Sequence, residues 1–226
     1  SSNPRGISIE PTGTYAFIVR GSLDPSLEVR QVSDGSSVTR VVAKAPRYVV
    51  ATSTDAWVGD SGTTATNGQV RRYNRSVGDF TDSVMVGANP YGIDITPNGN
   101  FVYVANKDSN TVSVINTSTL TRVANIAVGS APWGVRVTPN GSFVYVANSG
   151  ANTVSVISTA TNTVTATVTV GSNPRGLAIT AAGDIVYVAN SGSGTVSRIA
   201  TATNTLTGSA ITVGGTPSHI ALRNVQ

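Results

Sequence analysis

The sequence contains no cysteine and a single histidine, His219. The lack of cysteine excludes disulfide bonds, thiolate zinc sites and cysteine nucleophiles. A single histidine also excludes a metal centre built from several histidines and a haem with two histidine ligands. From these absences we expect neither a bound metal nor a cofactor.

Charged residues are scarce, at 12% of the chain, whereas hydrophobic residues make up 39%. This composition is unlike that of a disordered polyampholyte, and no run approaches the roughly 20 apolar residues of a transmembrane helix. The basic residues are 13 Arg and only 2 Lys. Scattered arginines do not form the continuous basic groove that follows a nucleic-acid backbone. Neither membrane insertion nor nucleic-acid binding is favoured.

A repeat runs through the whole chain, and a proline marks the start of each unit. The intervals between these prolines are 42, 44, 42, 42 and 43 residues. The prolines are Pro4, Pro46, Pro90, Pro132, Pro174 and Pro217. We divide the single domain 1–226 into units 3–45, 46–88, 89–130, 131–172 and 173–215 and a partial unit 216–226. Because the chain lacks an initiator Met and a leader and begins inside a repeat, we expect a processed product or an excerpt of something longer.

Each unit contains four short β runs separated by turn residues. In the third unit the runs are Gly92–Thr96, Phe101–Ala105, Thr111–Ile115 and Ala124–Val128. Alternation along the second run points Tyr103 to one face and Val104 to the other, so both faces are apolar. A small sheet that is buried on both faces has to stack between two others, as propeller blades do. We predict an all-β propeller of four-stranded antiparallel blades, about five in this chain, plus one extra C-terminal strand.

A glycine stands two residues after the repeat proline in four units. These glycines are Gly6, Gly92, Gly134 and Gly176. They fit inner strands that converge on an axis, where side chains would collide. His219 takes the glycine position in the sixth unit, and we expect it either to be mispacked or to line the channel. Its neighbour Ser218 is adjacent in sequence, which is the wrong geometry for a catalytic triad.

The repeat resembles a known family. Tyr103-Val-Ala-Asn106, Asn110-Thr-Val-Ser-Val-Ile115 and Ala160-Thr-Asn-Thr-Val164 are similar to the YVTN family of β-propeller repeats, closely over residues 89–215 and weakly over 3–88. The family is common in surface-layer, secreted and periplasmic proteins of prokaryotes. The resemblance implies a propeller and an extracytoplasmic setting. It implies no reaction, because the repeat motifs are structural.

One face of the predicted propeller collects the residue that follows each repeat proline. At the mouth of the channel these residues are Arg5, Arg47, Tyr91, Trp133, Arg175 and Ser218. Arginines interleaved with large aromatic rings could hold an anionic or sugar-like ligand by forked hydrogen bonds and stacking. The alternative is that these side chains are merely solvated and cover the inner turns with their stems.

The residues that end the second strands should lie on the same face. They are Arg20, Asp60, Asn106, Asn148 and Asn190. Since Asn tolerates the left-handed region and caps turns, we expect the recurring Asn to serve loop geometry rather than a ligand. Enzymatic propellers of the streptogramin-lyase and lactonase types use clustered His and acidic residues on this face. Here the two glutamates, Glu10 and Glu28, are not predicted to lie there, which counts against catalysis.

The only dense basic cluster consists of Arg71, Arg72 and Arg75. It lies on the predicted third strand of the second blade, near Asp79 and Asp82. We interpret it either as a partner-docking patch or as a solvated strand with local ion pairs of small value.

The partial sixth unit raises the question of how the ring closes. Ile220 and Leu222 repeat the apolar alternation of Leu177 and Ile179, so we expect Ser218–Arg223 to pair as an inner strand with the second strand of some blade. That blade could be the first one, if residues 4–10 move aside, or it could belong to another chain or to further sequence of a larger ring.

The composition and the repeats favour a non-enzymatic binding or assembly module that displays loops on a rigid propeller. We expect it to be extracellular, on a cell or virion surface, or periplasmic, with protein partners or self-association. The alternative is a carbohydrate- or anion-binding propeller that uses the channel mouth. An enzyme of lyase or lactonase type ranks below both.

Overall fold

The computed structural model describes residues 4–21, 24–61 and 68–222. All of its regular elements are β-strands, and they form five antiparallel sheets, here called blades one to five. In chain order the strands are β1 (Pro4–Ile9), β2 (Tyr15–Arg20), β3 (Ser26–Gln31), β4 (Ser37–Val42), β5 (Pro46–Ala51), β6 (Asp55–Asp60), β7 (Gln69–Asn74), β8 (Asp79–Met85), β9 (Pro90–Ile95), β10 (Phe101–Asn106), β11 (Thr111–Asn116), β12 (Thr121–Ala127), β13 (Pro132–Val137), β14 (Phe143–Asn148), β15 (Thr153–Ser158), β16 (Thr163–Thr169), β17 (Pro174–Ile179), β18 (Ile185–Asn190), β19 (Thr195–Ala200), β20 (Thr205–Leu206) and β21 (Ile211–Thr212).

Each blade is a simple meander of four neighbouring strands, with the fifth blade carrying one extra short strand, β21. This confirms the predicted all-β architecture of four-stranded blades. The inner strands β1, β5, β9, β13 and β17 contact one another in that order and form the innermost layer. Over the ranges that the structure describes, no helix is long and apolar enough to cross a membrane.

The core is divided into four clusters, each lying between two successive blades. Tyr103 and Val114 of blade three pack against Val144 of blade four. From the opposite face of blade three, Val102 and Val104 pack in the cluster that contains Trp57 of blade two. The predicted burial of both sheet faces is therefore confirmed, and these inter-blade contacts supply most of the apolar burial.

The inner glycines permit a close approach of neighbouring inner strands. A Cβ on Gly134 would collide with the carbonyl oxygen of Arg175 in the next blade. A Cβ on Gly176 would lie 2.8 Å from the Ser218 carbonyl oxygen and 2.8 Å from the His219 Cα. Thr216–Leu222 therefore lies beside β17 as β17 lies beside β13. It occupies the inner position of a sixth blade.

This C-terminal segment forms no strand within the described residues, so the predicted ladder for Ser218–Arg223 is wrong. Arg223 lies outside the described residues. The reason for the missing ladder is that β1 already pairs with β2 along its length and has not moved aside. The segment thus packs sideways on blade five without a second strand to bond.

Tyrosine hydroxyls link consecutive blades in the regular part of the fold. Tyr103 donates to Asn162 Oδ1 at 2.9 Å, and Tyr145 donates to Asn204 Oδ1 at 2.6 Å. Both asparagines are in the left-handed region at the turn before the fourth strand. In the preceding interface the tyrosine position holds Trp57, and the turn position holds Leu120, which packs against the cluster containing that tryptophan. Here the apolar pair Trp57 and Leu120 stands in place of the tyrosine–asparagine hydrogen bond of the next two interfaces.

The outward face of blade one differs from the same face of the other blades. Glu28 is 5% exposed and binds Arg20 Nε at 2.7 Å and Arg30 Nε at 2.8 Å. At the place of Arg30, blades two to five carry Tyr73, Ile115, Ile157 and Ile199, all buried against a preceding blade. This face of blade one therefore carries a paired charge where the later blades carry buried apolar side chains.

Candidate functional site

A pocket of about 560 Å³ lies where the inner strands converge. Every inner strand contributes to its wall, and so does the C-terminal segment through His219 and Ile220. The residues after the repeat prolines lie at its mouth, as the repeat spacing predicts. Arg5, Trp133 and Arg175 line the pocket directly.

Three aromatic rings form a continuous row at the mouth. The centroids of Tyr91 and Trp133 are 3.9 Å apart, and those of Tyr48 and Tyr91 are 5.4 Å apart. The rings come from three successive blades. Tyr91 and Trp133 both follow the repeat proline directly, so the repeat places them side by side, whereas Tyr48 reaches Tyr91 from the inner-glycine position of blade two.

Cationic side chains flank this aromatic row. The guanidinium carbon of Arg175 lies 4.6 Å from the Trp133 ring, and that of Arg47 lies 5.6 Å from the Tyr91 ring. Lys107 Nζ approaches Trp133 at 5.1 Å and Tyr91 at 5.7 Å. Such contacts are attractive because the face of an aromatic ring is negative. The structure thus brings Arg47, Tyr91, Trp133 and Arg175 together in one cluster, and Arg5 lines the same pocket against Gly21.

Two buried donors in the pocket wall have no acceptor in hydrogen-bond geometry. They are Nε1 of Trp133 and Nε of Arg175. Burial raises the pKa of Tyr48, and the neighbouring Trp133 indole partly offsets this effect. The Tyr48 hydroxyl therefore remains protonated at neutral pH. Buried donors without acceptors are uncommon in native proteins and are often sites where a ligand or water binds.

His219 lines the pocket, as the sequence predicts, and lies close to two hydroxyl groups. Its Nε2 is 3.0 Å from the Tyr48 hydroxyl, and its Nδ1 is 3.0 Å from Ser218 Oγ. Ser218 and His219 are therefore in contact despite their adjacency. In a triad the serine contacts Nε2 and a carboxylate contacts Nδ1, whereas here Ser218 is on Nδ1 and Tyr48 is on Nε2, so neither nitrogen has the acid that orients the base in that chemistry.

The asparagines that end the second strands have a different role from the predicted one. Asn106 is fully buried and donates from Nδ2 to Thr111 Oγ1 and to Ser113 Oγ at 2.9 Å. It is not in the left-handed region, which is occupied instead by other asparagines such as Asn110. The loop-geometry interpretation of this position is wrong, because the amide crosslinks the second and third strands. Asn148 and Asn190 repeat the same pair of bonds.

The three arginines of the predicted docking patch do not share one surface. Arg71 lies over the Phe80 ring at 3.8 Å, and Arg72 pairs with Asp82 at 2.7 Å on the other face of the strand. Arg75 pairs with buried Glu10 at 3.1 Å and lies 5.0 Å from the Tyr15 ring. Each side chain thus has a partner within the protein.

Sequence reasoning did not single out Tyr48, Lys107 and Arg136, all of which lie at or near the pocket. The sequence could have indicated Tyr48, because it stands where four other units have the inner glycine. Arg136 lines the pocket, and its Nη1 is 3.9 Å from Asp94 Oδ2. Lys107 follows the second strand of blade three and has no counterpart in the other repeats that would have marked it.

Comparisons with known proteins agree with this architecture. Residues 116–219 match the family described as lactonase, 7-bladed beta-propeller, which is slightly less than half of the chain. A search of curated proteins found no match. Among the described residues there is no group of three or more His, Asp or Glu side chains that could hold a metal ion.

Two solved structures have a similar fold. A chain of hydrazine synthase from Kuenenia stuttgartiensis aligns with a TM-score of 0.69 and 16% identity over 96% of this chain and 88% of that one. A functionally unknown protein from Desulfotomaculum acetoxidans aligns with a TM-score of 0.78 and 17% identity over 96% of this chain and 74% of that one. At these identities the likeness concerns the fold alone. The protein is a β-propeller.

Proposed function

We propose that the protein is a non-enzymatic binding module whose central pocket takes an anionic ligand. The observation that carries this proposal is the composition of the pocket wall. The described lining residues include four arginines and one histidine, and none of them is Asp or Glu. Arg20 pairs with Glu28 and Arg136 lies 3.9 Å from Asp94, whereas Arg175 makes no ion pair with the described residues and lies over the Trp133 ring. The field in the pocket is therefore positive.

The chemistry of the mouth suits an anion. A guanidinium presents donors in a fixed fork that matches carboxylate, sulfate and phosphate oxygens. Trp133 and Arg175 come from neighbouring inner strands and line the same pocket, so the Arg175 guanidinium can bind an anionic group beside the Trp133 ring. Partial burial reduces screening by water and strengthens the attraction.

Isothermal titration at low salt with phosphate, sulfate, benzoate and octanoate tests this proposal. We expect at least one anion to bind and its affinity to fall with added salt. Arg175→Gln should weaken binding at least about tenfold, since it removes a charge-assisted hydrogen bond. Arg122→Gln, on the exposed strand β12, is the matched control and should bind as the wild type does. Failure of every anion to bind, or equal binding by Arg175→Gln, would refute the proposal.

We also propose that the module acts outside the cytoplasm, displaying its loops to protein partners or to a second copy. Low charge and the exposed threonine-rich fourth strands, such as Thr163–Thr169, support this setting. The resemblance of the repeats to the YVTN family supports it further. Fractionation of the source cells should recover the protein from the surface, the medium or the periplasm, and recovery from the cytoplasm alone would contradict it.

A second candidate is a lactone-hydrolysing enzyme, which the match over residues 116–219 favours. His219 beside Ser218 and Tyr48 would then be the residues to examine. Turnover of a lactone panel, with and without divalent cations, tests this candidate. Activity that His219→Ala abolishes would support it. Absence of turnover with every lactone would contradict it.

A further inference from the structure

We propose that the ligand of the central pocket is an amphiphilic organic anion, such as a medium-chain carboxylate. Its anionic group would lie at the Trp133–Arg175 mouth, and its hydrocarbon part would lie in the channel beneath. This inference rests on the proposed function of the same pocket and names the ligand class.

The pocket is built in two chemically different layers. The mouth layer consists of the residues directly after the repeat prolines, which are mostly arginine or aromatic. Two positions further along each inner strand every unit carries an aliphatic residue, and all six line the pocket. They are Ile7, Val49, Ile93, Val135, Leu177 and Ile220. The layering follows from the repeat, since the same strand position lies at the same depth in every blade.

The aliphatic layer is not needed for an inorganic anion. A hydrated phosphate or sulfate would contact the mouth and leave the apolar wall facing water. A hydrocarbon chain would displace that water, and each buried methylene raises affinity roughly fourfold. In four units the inner glycine adds no side chain between the two layers, and in the other two units Tyr48 and His219 place their rings at that level.

The size of the pocket agrees with an organic ligand. Its volume of about 560 Å³ is within the ordinary range for small-molecule sites. One water-sized group occupies only about 30 Å³ of liquid volume, so a single inorganic ion would leave most of the pocket unfilled. A carboxylate with a chain of several carbons has both the donor-binding group and the apolar length that the two layers require.

The test is a titration series read by calorimetry and by fluorescence. Trp133 lies at the mouth, whereas the other tryptophan, Trp57, is 2% exposed in the blade interior, so quenching reports on the site. The probes are acetate, butanoate, hexanoate and octanoate, with inorganic phosphate and octanol as comparisons, all below micelle-forming concentrations. We expect octanoate to bind at least about tenfold more tightly than acetate, phosphate or octanol.

Two exposed residues of β1 provide a matched pair of variants. Ile7 lines the pocket and is 65% exposed, whereas Ile9 is 55% exposed and does not line it. Both should tolerate substitution, because neither is in the core. Ile7→Asn should weaken octanoate binding about threefold or more without changing acetate binding, and Ile9→Asn should leave both unchanged.

The outcomes separate this inference from the proposed function. If phosphate or acetate binds as tightly as octanoate, the amphiphile inference fails and anion binding stands. If octanol binds as tightly as octanoate and Arg175→Gln has no effect, the pocket is simply apolar and both proposals fail. If no probe binds, both fail as well. Both proposals are supported if affinity rises with the chain length of the carboxylate and if Ile7→Asn and Arg175→Gln each weaken octanoate binding.

Discussion

The hydroxyl of Tyr48 and Nε2 of His219 lie 3.0 Å apart, although the two residues are 171 positions apart in sequence. Both stand at the place where the other units have an inner glycine. Their rings are also stacked, with centroids 6.2 Å apart and an angle of 27° between the planes. The two units that break the glycine rule are thus the ones whose side chains meet in the pocket and connect the C-terminal segment to blade two.

Tyr48→Phe should loosen the C-terminal segment without unfolding the protein. It removes one hydrogen bond, whose net contribution is about 0.5–1.5 kcal/mol. Hydrogen exchange of the backbone over Thr216–Leu222 should therefore become faster. Tyr91→Phe is the matched control, since its hydroxyl makes no hydrogen bond to the described residues. Equal exchange in both variants would show that the contact does not hold the segment.

Val144→Asp should unfold or aggregate the protein. Val144 is fully buried between blades three and four, and an unpaired charge there costs at least about 3 kcal/mol, a large part of ordinary domain stability. Val123→Asp is the control because Val123 is 51% exposed on an outer strand. Thermal melts of both variants check the prediction, and a soluble Val144→Asp protein that melts cooperatively near the wild-type temperature would contradict it.

Tyr145→Phe should lower the free energy of unfolding by about 1 kcal/mol, because it removes the bond to Asn204 in the next blade. Burial raises the pKa of Tyr145 to about 12, so the hydroxyl remains a donor over the whole useful pH range. Tyr187 is the same residue in blade five, where the described chain offers it no such acceptor. Urea denaturation of Tyr187→Phe should therefore show little change, and equal losses in the two variants would refute the inter-blade assignment.

Asp94→Asn should make stability less dependent on pH. Burial raises the pKa of Asp94 above its ordinary value, partly offset by Arg136 and by the Val137 backbone N–H that it binds. A carboxyl whose folded pKa is raised favours folding most below its unfolded pKa of 3.8, and this contribution is lost as pH rises through the folded pKa. The variant should melt at or above the wild-type temperature at pH 7, and the difference should shrink or reverse near pH 3.

Asp184→Asn should change the pH dependence of stability in the opposite direction to Asp94→Asn. The Thr180 hydroxyl donates to the Asp184 carboxylate and lowers the pKa of that exposed group. Its contribution to stability is present above the ordinary pKa and is lost as pH falls through the lowered value. Melting temperatures of the two variants between pH 3 and pH 7 should therefore diverge in opposite directions, and parallel curves would contradict both assignments.

The blade architecture could be predicted because the sequence pattern within each repeat unit is enough to indicate its strands and their buried faces. Alternation in Phe101–Asn106 determines that both faces are buried, and the proline spacing determines that Trp133 and Arg175 meet. The broken fourth strand of blade five could also have been found by counting. Four residues, 207–210, separate Leu206 from Ile211, whereas three residues separate Val164 from Val168 in blade four. The extra residue interrupts the ladder.

Other features depend on geometry that no single unit contains. The contact between Tyr48 and His219 requires the curvature of the whole arc. The role of Asn106 was missed because its residue type fits two different tasks, a left-handed turn and a buried amide crosslink, and only the backbone angle distinguishes them. The separation of Arg71 from Arg72 is, by contrast, a local feature, because strand alternation alone places adjacent residues on opposite faces, and it could have been predicted from the sequence.

In the Pro-X-Gly start of the regular units, the glycine determines how closely the inner strands approach, and the residue X determines which side chain lies at the pocket mouth. The glycine sets the distance between adjacent inner strands, as the clash of a Cβ on Gly134 with the Arg175 carbonyl indicates. The residue between proline and glycine sends only its side chain to the mouth. Under the proposed function, substitutions at residues 5, 91, 133 and 175 should therefore alter ligand preference one blade at a time while the spacing of the blades stays constant. A substitution one position later, at the glycine, would instead change the width of the channel itself.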